Sequence, residues 1–166
     1  VTIWATIAEV LTNIPPFGVV FPDEGGVFLR GGKFKCAVEA GFYWKWPYYD
    51  SIRKIDTKEQ VVDLDNEAVS TRDGITLGLS GVVTYEVENP RLALLNVRDY
   101  DESLQTIATQ HLCSYVSRLR FADLTYDNIC AEVLSELRVS GTMWGLDVTE
   151  FGLNEFSKVR VLRLLE

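Results

Sequence analysis

Val69-Ser-Thr-Arg-Asp-Gly-Ile-Thr-Leu-Gly-Leu-Ser-Gly-Val-Val-Thr-Tyr-Glu-Val-Glu-Asn-Pro90 reads as a hairpin turn feeding a long, half-buried strand. Ile75, Leu77, Leu79, Gly81, Val83, Tyr85 and Val87 alternate with Thr76, Gly78, Ser80, Val82, Thr84 and Glu86. That is a period of two, with one apolar face and one face of mainly small and polar residues. Asp73-Gly74 is a hairpin dipeptide. Asn89-Pro90 stops the strand, because proline has no N–H to give to the ladder. The stretch contains no nucleophile, metal cluster or phosphate loop, so it points to assembly rather than catalysis.

Upstream, from Phe17 onward, the signals are again those of strands. Gly18-Val-Val-Phe-Pro22 and Gly26-Val-Phe-Leu-Arg30 flank Asp23-Glu-Gly-Gly26, a turn composition, and Gly31-Gly32 makes the next break. Ser51-Ile-Arg-Lys-Ile55 and Gln60-Val-Val-Asp-Leu-Asp65 are further short strands. Before all of these, Ile3, Trp4, Ile7, Ala8, Leu11 and Ile14 fall at helical spacing on one face, and Pro15-Pro16 ends the pattern. A bilayer span needs about 20 apolar residues, and this segment is shorter and interrupted. Three readings stand for it: the tail of a membrane segment, an interfacial helix, or a helix packing on the domain or a partner.

Downstream the period changes. Asp99 is a candidate N-cap, with Glu102 completing a capping box. Leu104, Ile107, Ala108, His111, Leu112, Tyr115, Val116 and Leu119 then follow at helical spacing. A second helix is predicted from Tyr126 to Val139, with Ile129, Cys130, Val133, Leu134 and Leu137 inward and Gly141 and Gly145 bracketing its end. Val148, Phe151 and Leu153 suggest a returning strand, and Val159–Glu166 a terminal helix. The sum is an α+β fold: a membrane-proximal or amphipathic segment over 1–16, a β-rich lobe over 17–95, an α/β lobe over 96–156, and the start of a helix or coiled coil over 157–166.

The 166 residues are 47% hydrophobic and 24% charged, which supports a folded core of one domain or two small lobes. A net charge of −8 argues against nucleic acid as a partner, which would need many basic residues to neutralise a run of phosphates. It also disfavours broad electrostatic attachment to anionic lipid, while leaving apolar insertion open. Cys36, Cys113 and Cys130 are widely spaced and His111 is the sole histidine, so no zinc site is expected. The cysteines read as reduced core thiols; a Cys113–Cys130 disulfide would require an oxidising compartment.

Candidate chemistry is sparse. Asp99, Asp101, Glu102, Asp123 and Asp127 lie at helix starts, where capping and the helix dipole account for them. His111 lies on an apolar helix face, as a core or interface residue. Ser70, Ser103, Ser114 and Ser117 lack any nucleophile-elbow context. Gly31-Gly-Lys33 is followed by Phe34, where a phosphate loop needs Ser or Thr. No catalytic, cofactor-binding or metal-binding residue is therefore assigned, and the chain is not expected to be an enzyme.

The segment Phe42-Tyr-Trp-Lys-Trp-Pro-Tyr-Tyr49 holds six aromatics in eight positions. Tryptophan and tyrosine favour half-wet, half-apolar settings such as the headgroup level of a bilayer, and Lys45 could snorkel to phosphate. Alternation would put about half of these rings into a sheet core. An aromatic sugar or peptide site is the other reading.

Four segments, in order, resemble the SPFH domain (also called PHB or band 7) of stomatins, prohibitins, flotillins and the HflK/HflC proteins. They are Glu24-Gly-Gly-Val-Phe-Leu-Arg-Gly-Gly-Lys-Phe34, Gly41-Phe-Tyr-Trp-Lys-Trp-Pro-Tyr-Tyr-Asp50 with Ile52-Arg-Lys-Ile-Asp56 after it, Thr71 to Pro90, and Trp144-Gly-Leu-Asp-Val148. The resemblance covers about Val20 to Phe156. It implies a non-enzymatic, membrane-associated scaffold that oligomerises with copies or related subunits and leads into a coiled coil. Trp4, Ile7 and Leu11, with Tyr43, Trp44, Trp46, Tyr48 and Tyr49, are the expected membrane or partner contacts. Arg91, Arg98, Arg118, Arg120, Glu132 and Glu136 are the expected charges between subunits. The expected partners are a membrane lipid surface, related subunits and a membrane protease, with no cofactor and no nucleic acid. The alternative is a soluble α+β protein-interaction module.

Overall fold

The structure is a computed structural model that describes residues 17–159. The expected N-terminal helix, with Trp4, Ile7 and Leu11, lies outside the described residues, as does most of the expected terminal helix. In chain order the elements are β1 (Phe17–Val20), β2 (Glu24–Arg30), β3 (Lys33–Val38), β4 (Gly41–Trp44), β5 (Asp50–Asp56), β6 (Gln60–Asp63), β7 (Glu67–Ser70), β8 (Thr76–Val87), α1 (Pro90–Asn96), α2 (Tyr100–Arg118), a 3-10 turn (Phe121–Asp123), α3 (Tyr126–Trp144) and β9 (Leu146–Lys158). The fold is α+β, as the change of period predicts.

The alternating stretch becomes β8, the central strand of the larger sheet. β9 pairs along one edge of it from Leu77 to Val87, and β6 and β7 divide the other edge between them. The inward face of β8 (Leu77, Leu79, Val83 and Tyr85) is fully buried. Leu104, Ala108, Leu112 and Val116 of α2, and Ile129, Val133 and Leu137 of α3, meet that face at helical spacing. Each buried Leu or Val contributes about 1.5–3 kcal/mol relative to exposure. β8, before residue 96, and the two long helices after it thus share one core. The expected boundary at 95/96 falls inside α1.

A smaller core joins β1–β5. Here β2 lies between β3 and β5, and β1 pairs with β4 as a separate ribbon. Val20, Phe28 and Val38 are buried together, with Tyr43 and Ile52 packed on them.

Four expectations need correcting. Asp23–Gly26 is not a turn of four residues: Glu24, Gly25 and Gly26 already belong to β2. These glycines serve close approach, since a Cβ on Gly25 would lie 2.5 Å from Pro90 Cγ and one on Gly26 2.4 Å from the Arg53 carbonyl oxygen. Asn89-Pro90 not only stops β8 but starts α1, with the Asn89 side chain accepting from Arg91 and Leu92 N–H and Pro90 at the first turn. The second long helix does not end at Val139. Gly141 is buried within α3, and the helix closes on Gly145 in the left-handed region (φ 74°). Finally, β9 continues through Ser157 and Lys158, where the terminal helix was expected to begin.

Two local devices tie the layers together. In the β7–β8 turn, Asp73 accepts from the backbone N–H of Phe121 at 3.2 Å, and Arg72 N–H donates to the Leu119 carbonyl at 2.9 Å. This fastens the turn to the end of α2. On β9, whose register shifts opposite Ser80/Gly81 and Thr84/Tyr85, Arg138 of α3 donates to the carbonyls of Val148 and Thr149, while Leu153 N–H donates to the Tyr126 hydroxyl.

Candidate functional site

In the β1–β4 ribbon, Phe17 faces Trp44 and Val19 faces Phe42 across the strands. Cross-strand partners lie on the same face, so these four side chains form one surface. The other face of the ribbon packs inward: Val20 is buried, and Gly18 sits so close to Ile52 that a Cβ would lie 2.6 Å from its Cδ1. Phe17 and Phe42 stack with ring centroids 5.1 Å apart. The loop after β4 adds Trp46, Tyr48 and Tyr49. Phe42, Trp44, Trp46, Tyr48 and Tyr49 are each between 64% and 70% exposed.

This differs from the expected even division of the aromatics. Only Tyr43 turns inward, where its hydroxyl donates to the Glu39 carbonyl at 3.0 Å. The small core beneath is built from Val20, Phe28 and Val38, with Ile52 and Tyr43 packed on them. The sequence reading missed Phe17 and Val19, although their alternation with Gly18 and Val20 is the signal that places them beside Phe42 and Trp44.

The loop is held by an ion pair that the sequence reading also missed. Arg30 and Asp50 are cross-strand partners, and the Arg30 guanidinium grips the Asp50 carboxylate at 2.8 and 2.9 Å. The second carboxylate oxygen also accepts from Trp46 N–H at 3.0 Å. Asp50 is buried, and the Arg30 hydrogen bond holds its pKa down to about 2 against the opposing effect of desolvation. Asp50 N–H and Tyr49 N–H both donate to the Trp46 carbonyl, and Gly31 N–H donates to that of Tyr49. The aromatic loop is thus a tethered turn presenting its rings outward.

The six charges expected between subunits do not gather on one face. Arg118, Glu132 and Glu136 line a groove between α2 and α3 with His111, Ser114, Tyr115 and Val133, a cavity of about 190 Å³. Arg91 instead stacks over the Phe34 ring at 4.5 Å, joining α1 to β3. Arg98 lies in a recess with Asp99, Glu102 and Ser103, and Arg120 is exposed beside Asp73.

The remaining candidates have structural partners. Asp99 caps α2 by accepting from Glu102 N–H at 3.2 Å, and Asp101 accepts from the buried Tyr85 hydroxyl. The cysteines are free. Cys36 is exposed on β3 rather than in a core, while Cys113 and Cys130 are half-buried and burial raises the pKa of both thiols. Among the described residues, no group of three or more His, Cys, Asp or Glu side chains is placed to hold a metal ion. No helix among them is long and apolar enough to cross a membrane.

Residues 19–157 match the model of the SPFH domain / Band 7 family. The chain is similar to an uncharacterized protein of Methanothermobacter thermautotrophicus, 34% identical over 101 residues that cover 61% of this chain and 32% of the relative. Mouse stomatin is 28% identical over 125 residues, covering 74% of this chain and 43% of stomatin. A putative band 7 family protein of Acanthamoeba polyphaga mimivirus is 23% identical over 142 residues, covering 84% and 47%. The chain therefore spans between 32% and 47% of the length of these relatives. With the match running from β1 through β9, and with the tethered aromatic loop inside it, the chain belongs to the SPFH domain / Band 7 family.

Proposed function

We propose that the chain is a non-enzymatic, membrane-associated scaffold domain. Its exposed aromatic surface rests at the headgroup level of a bilayer, and copies or related subunits assemble beside one another. The observation that carries this reading is the surface of Phe17, Phe42, Trp44, Trp46, Tyr48 and Tyr49, held rigid by Asp50 yet mostly open to solvent. Exposed aromatic side chains in this number, half-polar tryptophan and tyrosine among them, fit a membrane interface. Family membership supports the same reading. The α2–α3 groove, with Arg118, Glu132 and Glu136 along it, is the contact we assign between subunits, the charges setting register and the apolar residues supplying burial. Trp4, Ile7 and Leu11 would extend the attachment, and assembled subunits would confine a membrane patch or enclose a membrane protease.

The test is liposome co-sedimentation of the full chain against Trp44→Ala/Trp46→Ala/Tyr48→Ala. Burying even half of the exposed area of three such rings removes roughly 200 Å² from water, about 5 kcal/mol at ~25 cal/mol per Å². The variant is expected to keep its fold and lose more than about 100-fold in partitioning. Undiminished binding would move the anchor to the N-terminal segment. Absence of binding by both proteins would overturn the membrane reading in favour of a soluble protein-interaction module.

A further inference from the structure

The net charge of −8 conceals a strong division within the molecule. Residues 17–58, which build the aromatic lobe, carry seven Lys and Arg against five Asp and Glu, a balance of +2. Residues 59–159 carry seven against seventeen, a balance of −10. The expectation that charge disfavours contact with anionic lipid therefore applies to the second group of residues and not to the first.

The positive charge is concentrated where the aromatics are. Between Gly25 and Tyr49 the basic residues are Arg30, Lys33, Lys35 and Lys45, and the sole carboxylate is Glu39. Glu39 follows Val38, which pairs with Gly26 at the far end of β2 from Arg30. Arg30 and Lys33 face each other across the β2–β3 turn, and Gly31 N–H in that turn bonds to Tyr49 of the aromatic loop. Lys45 stands in the loop, and Lys35 is close enough to Asp50 to help hold that carboxylate ionised. The carboxylate nearest the loop, Asp50, is buried and already taken by Arg30, whereas Lys33, Lys35 and Lys45 form no ion pair among the described residues.

We propose that this end of the domain recognises anionic phospholipid headgroups, with Lys33, Lys35 and Lys45 supplying the charge around the aromatic loop. The proposal rests on the membrane reading above and adds a lipid class to it. The geometry sorts two forces. The rings gain from any bilayer interface, charged or neutral. The lysines gain only from a negative one, on the order of fivefold in affinity each. The strongly acidic residues from 59 onward are repelled by the same surface, which turns the aromatic end toward it.

The experiment compares full-chain binding to vesicles of pure phosphatidylcholine and of an equal mixture with phosphatidylserine. The expected preference for the mixture is on the order of 100-fold, lost at high salt. Lys33→Gln/Lys45→Gln, which leaves Lys35 beside Asp50, should cut that preference by about 25-fold while leaving binding to phosphatidylcholine and the thermal midpoint unchanged. Trp44→Ala/Trp46→Ala should weaken binding to both vesicles by the same factor. Equal affinity of the native chain for both vesicles, or a preference that survives the lysine changes undiminished, would overturn the proposal while leaving the membrane reading in place. Binding to neither vesicle would overturn both. A lysine variant that changes assembly size but not lipid preference would reassign these side chains to contact between copies, and would also overturn it.

Discussion

Replacing Gly145 with alanine tests the closure of α3 and the seat of α1 together. Gly145 has φ 74°, a conformation that costs a residue with a Cβ about 1–2 kcal/mol. The space is also closed. A Cβ there would lie 2.7 Å from the Asn89 carbonyl oxygen and 2.9 Å from both Asn89 Cβ and Leu92 Cβ. These atoms cannot swing aside, because Asn89 N–H is bonded to the Gly145 carbonyl at 2.9 Å and Asn89 caps α1. Relieving the clash means moving the start of α1, an overpacking cost of about 1–3 kcal/mol. The sum is about 2–5 kcal/mol, which for a chain of this size lowers the thermal midpoint by on the order of 10 °C. Gly74→Ala is the control. Its φ is 79°, but nothing lies within 4 Å of its Cβ position, so it should show only the backbone cost of about 1–2 kcal/mol. Urea denaturation followed by circular dichroism measures both. Equal losses at the two positions would refute the steric part of the reasoning and the tight seat it assumes.

Two further outcomes are expected. Because the folded-state pKa of Asp50 is depressed to about 2, the Arg30–Asp50 pair contributes its full stability above the unfolded carboxylate value of about 3.9. That contribution should fade as the pH drops from there toward about 2, so the gap in urea midpoint between the native chain and Asp50→Asn narrows across that window; a gap independent of pH would contradict it. Leu137→Ala should cost about 2–5 kcal/mol by leaving a cavity at a fully buried position, while Val139→Ala, two residues on and exposed, should stay within about 0.5 kcal/mol. Similar urea midpoints for the two variants would contradict the assigned inner face of α3.

What could be read from the chain alone followed the range of the physics involved. The alternation of Leu77 to Val87 and the helical spacing of Leu104 to Val116 report burial directly, so β8 and α2 were legible. α1 was not: Asn89-Pro90 is as good a helix start as a strand stop, and seven residues carry too little periodicity to decide. Gly25 and Gly26 look like turn residues because composition cannot show that Pro90 needs the space of the first and the Arg53 carbonyl that of the second. The aromatic loop stood out by composition. Which rings face solvent depended on the size of the core beneath, and that is set by Val20, Phe28, Val38 and Ile52 together. The Arg30–Asp50 tether joins residues 20 positions apart and exists only through the β2–β5 register. The division of charge was present in the sequence all along, but its meaning required knowing that the lysines and the rings share one end.

The edge of the larger sheet carries one more consequence. β9 is 13 residues long and, among the described residues, pairs with β8 on one side only, and an open strand of that length is a ready template for another chain to extend. Arg138 occupies the carbonyls of Val148 and Thr149, Tyr126 takes the N–H of Leu153, and two register shifts break the regular spacing a newcomer would need. Molecules crowded side by side are thereby denied the simplest route to fusing their sheets into a fibre. A copy arriving at this edge would have to meet it through side chains, in contacts that can part again.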